Sequence, residues 1–484
     1  MQFLVIQRIV GRLLTVFSLA MVPPMIVSLI YSDGALAPFI EAFLVTAITG
    51  MALFLPVRKQ RREMRLRDGF VIVVLFWTVL GSFGALPFLL ADSLVMSVYD
   101  AMFESISGLT TTGATVIEKI DNLPPSIKFY RQQLQWMGGM GIIVLAVAIM
   151  PMLGIGGMQL YRAETPGPIK DSKLTPRITE SAKALWYIYL ALTLACMAAY
   201  WLAGMDLFDA IAHSFATVAI GGFSTHDQSM GYFFQQPLVE VVAIVFMLLS
   251  GVNFALHFVA WRSRSIQGYL LDSEFRTYVF ILLLVTIITT GYLAFTHSFP
   301  HIGHTVLHGV FQAVSIGTTT GFTTQDYSLW PGFLPVLLLF TSFIGGCAGS
   351  TGGGMKVIRF LLLVKQGMRE IMRVIHPNAV IPIKIGRKPV SNKVIDAVWG
   401  FFAAYVGLFI FFMLLLMADG LDQVTAFSAV AACINNLGPG LGEVSTSYAG
   451  ISDFAKSVLS MAMLLGRLEI FTLLVLLTPA FWRH

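Results

Sequence analysis

Long apolar runs broken by short polar segments set the rhythm of this chain. Residues 70–90, 183–203, 275–295 and 394–417 are each about twenty mostly apolar residues long, enough to cross ~30 Å of hydrocarbon as a helix. Two more such runs, 3–31 and 35–57, come first. After each of the four later runs stands a shorter segment of mixed polarity: 97–109, 207–218, 301–317 and 421–435. These are too short or too polar to cross, and they predict re-entrant helices. Each ends in a glycine-containing loop, and a second apolar span follows. The pattern predicts an all-α polytopic membrane protein, with four pseudo-symmetric span–short helix–loop–span repeats around one pore. The expected units are two extra N-terminal transmembrane helices in 1–68, then repeats in 69–165, 178–272, 273–392 and 393–484. Arg8 and Arg12 in the first run, with no small-residue cleavage site after it, predict that this run is retained.

The four loops align as TTTGAT (110–115), AIGGFS (219–224), TTTGFT (318–323) and NNLGPG (435–440). Their shared glycines, Gly113, Gly222, Gly321 and Gly438, are spaced by 109, 99 and 117 residues. Close packing of small residues between membrane helices is the plainer explanation for such glycines. It does not account for loops recurring at near-equal spacing in the same hydropathy context. Non-helical backbone inside a membrane is tolerated where it is buried in protein or lines a watery cavity. Carbonyls from four loops around one axis could replace the hydration shell of a cation. Glycine lets the wall come close and reaches backbone angles that a side chain forbids. Each short helix would aim its partly negative C-terminal end at the centre. The expected ion-binding set is Thr111, Thr112 and Gly113; Ile220, Gly221 and Gly222; Thr319, Thr320 and Gly321; and Asn436, Leu437 and Gly438.

Composition agrees with the spans. Of 484 residues, 56% are hydrophobic and 12% charged, about half the charge of a soluble domain. Of the 31 basic residues, only Lys119, Lys128, Arg131, Lys456 and Arg467 fall outside the termini and the loops that alternate onto one side. By the positive-inside rule that side is the cytoplasm, and both termini lie there. No basic stretch sits in a soluble domain of the kind that binds nucleic acid. The long basic loops 161–183 and 356–393 could meet anionic lipid. Asp92, Asp100, Glu104, Asp121, Asp206, Asp209, Asp227, Asp326, Asp419, Asp422 and Glu443 gather on the other side, where a negative mouth would concentrate cations. Helix capping is a parallel reading for Asp206 and Asp419. Cys196, Cys347 and Cys433 have no CxxC partner and read as buried thiols.

With these four loops the chain resembles the Trk/Ktr/HKT superfamily of cation transporters. The likeness runs from about Gly69 to the C terminus, and the extra N-terminal pair resembles the bacterial TrkH type of membrane subunit more than the shorter Ktr type. The resemblance implies that the four aligned glycines form a selectivity filter. It also implies potassium (and rubidium) as the transported ion, since a Ser at the first position goes with sodium in this superfamily. The fourth loop lacks the Thr run, so an asymmetric filter with weaker discrimination is expected. The resemblance further implies a homodimer with one pore per protomer. A cytosolic nucleotide-binding regulatory ring of the TrkA type would sense NAD or ATP, with no organic cofactor on this chain.

One span is interrupted. The apolar run 333–344 gives way to GGCAGSTGGG at 345–354, and an apolar and basic run resumes after it. Six glycines in ten residues will not stay helical. A phosphate-binding loop is excluded, because Met355 stands where GxxxxGK[ST] needs Lys, and no strand precedes it. A hinge is one reading. The resemblance implies another, an intramembrane gate under the filter, formed by Gly345, Gly346, Gly349, Ser350, Thr351, Gly352, Gly353 and Gly354. Arg467 is a charge inside the last span, which usually faces a cavity or a partner. Glu469 is two residues away and does not share its helix face. The resemblance implies a pore-facing, barrier-forming Arg467.

His301, His304 and His308 share a face at helical spacing but have no carboxylate or Cys in register, so they read as the polar start of the third short helix rather than a metal site. Gln135 and Asn253 read as helix–helix hydrogen bonders. A membrane enzyme would need clustered acids, His or a nucleotide motif, and none stands on the basic loops. A voltage sensor would need Arg at every third position of a span. Passive conduction and coupled symport are both compatible with this sequence.

Overall fold

The computed structural model describes residues 1–59, 66–144, 178–386 and 388–482. Several predicted basic positions (Arg61, Arg62, Arg65, Arg162, Lys170, Lys173, Arg177, Arg387 and Arg483) and the end of the first repeat lie outside the described residues.

The first spans of the repeats appear where the apolar runs place them, at Arg67–Leu90, Lys183–Leu202, Ser273–Phe295 and Asn392–Ala418. The N-terminal runs form Phe3–Tyr31 and Leu36–Val57. These two cross closely at glycines, where a Cβ on Gly11 would lie 2.7 Å from the Phe54 amide nitrogen. They dock on the first repeat through polar anchors: Ser126 N–H donates to Asp33 (2.9 Å) and Gln133 Nε2 to the Ala20 carbonyl (2.7 Å).

Four short helices stand between the spans: Val98–Leu109, Leu207–Ala219, Ile302–Gly317 and Gln423–Ile434. Local chemistry starts three of them. Ser97 and Asp100 form a reciprocal capping box, Asp206 accepts from the Asp209 amide, and Asp422 accepts from the Val424 and Thr425 amides. Asp419 differs from the capping expectation: it sits at the C-terminal end of Asn392–Ala418, and its carboxylate accepts from the Ser452 hydroxyl.

The second spans hold the main departure. Sequence predicts one interrupted span, whereas among the described residues breaks occur in three. Pro237–Ser250 bends by 92° into Phe254–Ser263, and Asp453–Arg467 bends by 115° into Phe471–Leu477. The third break separates Leu334–Ile344 from Val357–Ile375. Asn253 caps the helix after the first bend, accepting from the Ala255 amide (2.8 Å), so its role is to seal a break rather than to join two helices. Glu469 and Ile470, at φ 56° and 54°, turn the last bend, and Glu469 is held by Arg359 at 2.9 Å. Glu469 therefore pairs outside its own helix, and Arg467 does not pair with it.

Candidate functional site

All four short helices end in the same way. A left-handed residue closes each end: Thr111 at φ 53°, Ile220 at 54°, Thr319 at 68° and Asn436 at 53°. The next amide then reaches back five residues, Thr112 to Ser107, Gly221 to Ala216, Thr320 to Ser315 and Leu437 to Ala432, each at 2.8 Å. This is the Schellman closure. A left-handed L-residue is disfavoured by about 1–2 kcal/mol, and β-branched Thr and Ile are among the rarest occupants. Such strain persists where surrounding contacts fix it.

The closure occupies the amides of Thr112, Gly221, Thr320 and Leu437 and turns the chain into the glycines. Gly113, Gly222, Gly321 and Gly438 have φ of 83°, 77°, 83° and 100°. Each packs on the neighbouring loop. A Cβ on Gly113 would collide with the Gly221 carbonyl oxygen, on Gly222 with that of Thr320, and on Gly321 with that of Leu437. A Cβ on Gly438 would lie 2.7 Å from that of Thr112, which closes the cycle. The four glycines also line one cavity of about 610 Å³.

Each junction has its own tie. Gln135 donates to the Gly221 carbonyl (2.6 Å) and accepts from the Phe223 amide (3.1 Å). Gly231 N–H reaches the Thr323 carbonyl at 3.2 Å. The Tyr327 hydroxyl lies 3.1 Å from the Pro439 and Gly440 carbonyls. Asn436 Nδ2 donates to Thr112 Oγ1 at 2.9 Å, and the Tyr448 amide to the Thr115 carbonyl at 2.8 Å.

Directly beneath lies the loop 345–354. Gly353 N–H donates to Thr319 Oγ1 (2.6 Å) and Gly354 N–H to the Asn435 carbonyl (3.0 Å). Thr351 Oγ1 donates to the Val218 carbonyl at 2.9 Å. Arg467 spans both layers, with Nη1 at 3.2 Å from the Thr351 carbonyl and Nη2 at 2.5 Å from Thr111 Oγ1. Lys356 Nζ donates to the Gly352 carbonyl. The space left here is about 60 Å³, room for roughly two waters at their liquid volume. Three of the strained left-handed residues thus carry side chains with outside partners: Thr319 the loop 345–354, Asn436 the first loop and Thr111 Arg467.

These contacts describe four loops joined in a cycle over the loop 345–354, and sequence comparison decides the family. Residues 36–483 match the TrkH family, described as a cation transport protein. The chain belongs to the TrkH family. It is similar to the Trk system potassium uptake protein TrkH of Vibrio parahaemolyticus, 59% identical over 485 residues, and to TrkH of Escherichia coli K12, 55% identical over 484 residues, with 100% of each chain covered in both cases. TrkG of Escherichia coli K12 is 44% identical, over 99% of this chain and 98% of its own. The crystal structure of the potassium transporter TrkH from Vibrio parahaemolyticus superposes with a TM-score of 0.93 at 57% identity, covering 100% of both chains. This TrkH-family chain is therefore a multi-pass membrane protein of transporter fold.

Other sequence-predicted positions fall in this TrkH-family frame as follows. The predicted filter residues lie in the four loops whose glycines pack on one another, and Arg467 contacts the loop 345–354 that holds the other predicted gate residues. The acidic mouth is less bare than its count suggests. Asp100 pairs with Lys456 (2.6 Å), and Glu104 is buried with Arg131 (2.8 Å). Asp227 accepts from the Ile120 and Asp121 amides. Glu118, Asp227 and Asp326 remain in the cavity lining. Among the described residues no group of three or more His, Cys, Asp or Glu is placed to hold a metal. The three cysteines are free and buried.

Sequence reasoning undervalued Gln135 and passed over Arg131. The latter is buried, stacks 4.3 Å from the Phe223 ring centroid and donates to the Ser224 carbonyl at 3.0 Å. An Arg inside a second span was the available signal, the same one that marks Arg467.

Proposed function

We propose that this protein carries potassium, and rubidium as its congener, across the cytoplasmic membrane, as a transporter and not an enzyme. The observation that carries this reading is the closed cycle of four glycines and carbonyls around one cavity. The filter is assigned to Thr111–Gly113, Ile220–Gly222, Thr319–Gly321 and Asn436–Gly438. Its oxygens substitute for the ion's water shell. The gate is assigned to residues 345–354 with Arg467. Repeats are taken as 69–165, 178–272, 273–392 and 393–484, with the pair in 1–68 outside the pore. Both termini are placed in the cytoplasm on the distribution of basic residues.

Potassium is chosen because the relatives are potassium uptake proteins and all four aligned positions are glycine. Those relatives are named as parts of a Trk system, which supports a partner that supplies the gating energy. A homodimer with a TrkA-type cytosolic ring, binding NAD or ATP, is the assembly we assign. Purified protein in potassium-loaded vesicles should take up rubidium-86, with potassium competing and sodium competing weakly. Absence of uptake both from the intact chain and from a chain lacking 345–354 would overturn the proposal. Reversal potentials under opposed potassium and proton gradients separate conduction from symport.

A further inference from the structure

Counting from the aligned glycines exposes a second fourfold pattern, outside the filter. Eighteen residues after each glycine stand Arg131, Glu240, Leu339 and Lys456, each on a second span. Thirteen residues before each glycine stand Asp100, Asp209, His308 and Thr425, each on a short helix. At the junction of the fourth repeat with the first, Lys456 meets Asp100 at 2.6 Å. At the junction of the second with the third, Glu240 meets His308 at 3.3 Å. The positions correspond, and the acid and the base have changed places.

The other two junctions differ. Arg131 turns to Glu104 of its own repeat, while Asp209 is held by His226 at 2.9 Å. Leu339 and Thr425 carry no charge, and their junction is next to the span that holds the loop 345–354.

Glu240 is 1% exposed, and its side chain has no aligned hydrogen bond at Oε2. A carboxylate buried without a compensating partner is strongly disfavoured. His308 Nδ1, 3.3 Å from Oε2, is the polar group that faces it. The same His308 Nδ1 lies 3.1 Å from Thr324 Oγ1, three residues past Gly321. The contact therefore reaches the residue that directly follows the third loop.

We propose that Glu240 and His308 are an inter-repeat clamp, the polarity-reversed counterpart of Lys456 and Asp100, and that they position the third filter loop for ion discrimination. They are positioning residues and do not touch the ion. The inference rests on the ion-transport reading. The scaffold already accepts either polarity at these two positions, so exchanging the charges should be tolerated where single changes are not.

The test uses full-length protein in vesicles and reads three quantities: rubidium uptake, the preference for rubidium over sodium, and the amount of protein in the membrane. E240Q lowers the preference by about tenfold, the size of coupling between groups in contact, with the amount unchanged. E240K lowers the preference or the amount, and E240K with H308D restores both towards the parent. Restored amount with the preference still lost, or an E240Q protein whose preference is intact, overturns the clamp. Parent protein without uptake sinks the transport reading itself, and the clamp with it; parent uptake with an indifferent exchange sinks the clamp alone.

Discussion

The filter loops and the loop 345–354 are both bare, glycine-containing backbone at membrane depth, yet they are held by opposite means. Each filter loop closes on its own short helix with one repeated hydrogen-bond pattern. The plug is held largely by other elements. Its tethers run to Thr319, Asn435, Val218, Gly251, Glu274 and Arg467, each on a different segment. We read the locally closed loops as a wall, because these repeated bonds lie within one repeat. We read the loop 345–354 as a door, because its bonds to other segments would break if those segments moved. Glycine content alone does not distinguish a wall from a door; the address of the hydrogen bonds does.

This contrast can be tested from both sides. The largest effect is expected at the wall. G222A puts a methyl group against the Thr320 carbonyl at a left-handed position. Misplacing one oxygen by even about 1.4 kcal/mol is a tenfold change. Rubidium uptake should fall by more than about tenfold, and no second change in the plug should restore it. Next comes the door. Deleting 345–354, or making R467A, should raise basal cation flux. Hydrogen bonds to a charged group are worth about 1.5–3 kcal/mol each, so R467A should raise the leak about tenfold or more. Flux no greater than that of the parent would reassign the loop to a structural break.

A smaller effect is expected where wall and door meet. T319V removes the acceptor of the Gly353 amide and leaves a buried donor unpaired, at about 1–3 kcal/mol. The leak should rise several-fold while ion preference changes little. If preference falls instead, Thr319 belongs to the wall alone.

The smallest effect lies at the mouth. His226 bridges Asp121 (2.6 Å) and Asp209 (2.9 Å) and stacks on Tyr232 with centroids 3.5 Å apart. Burial opposes a charged ring, but the hydrogen bonds to Asp209 and Asp121 outweigh it and hold the His226 pKa above its ordinary value. Asp227 and Lys128 complete the charged surroundings, and the His213 ring lies 6.4 Å from the His226 ring. The contribution to stability is therefore full below about pH 6.5, the unfolded value, and is lost as pH rises through the raised folded one. Thermal midpoints should fall modestly over that interval in the parent and not in H226F.

Much of this architecture was legible in the pattern of apolar runs. The starts of two short helices follow from chemistry a sequence displays, at Asp206 and Asp422, whereas the left-handed closure at Thr111, Ile220 and Thr319 does not, since β-branched residues rarely adopt it. The aligned glycines were legible because only glycine fits where the next loop's carbonyl comes so close. The bends at 251–253 and 468–470 were not. Leu468, Glu469 and Ile470 are ordinary helix residues, and their turn is imposed from outside by Arg359 on another span. The same holds for Gln135, whose two bonds to the second filter loop cross 86 and 88 residues of sequence. Partners that distant leave no local mark.

Arg467 is itself a cation, and it rests on the Thr111 hydroxyl at the inner end of the filter. A tethered guanidinium and an arriving ion therefore contend for one oxygen, and like charges repel at that range. Occupancy from the mouth should work against the tether, so that the transported species helps to unseat its own blocker. Open time that lengthens with ion concentration on the mouth side is the expected signature, and R467A should abolish that dependence.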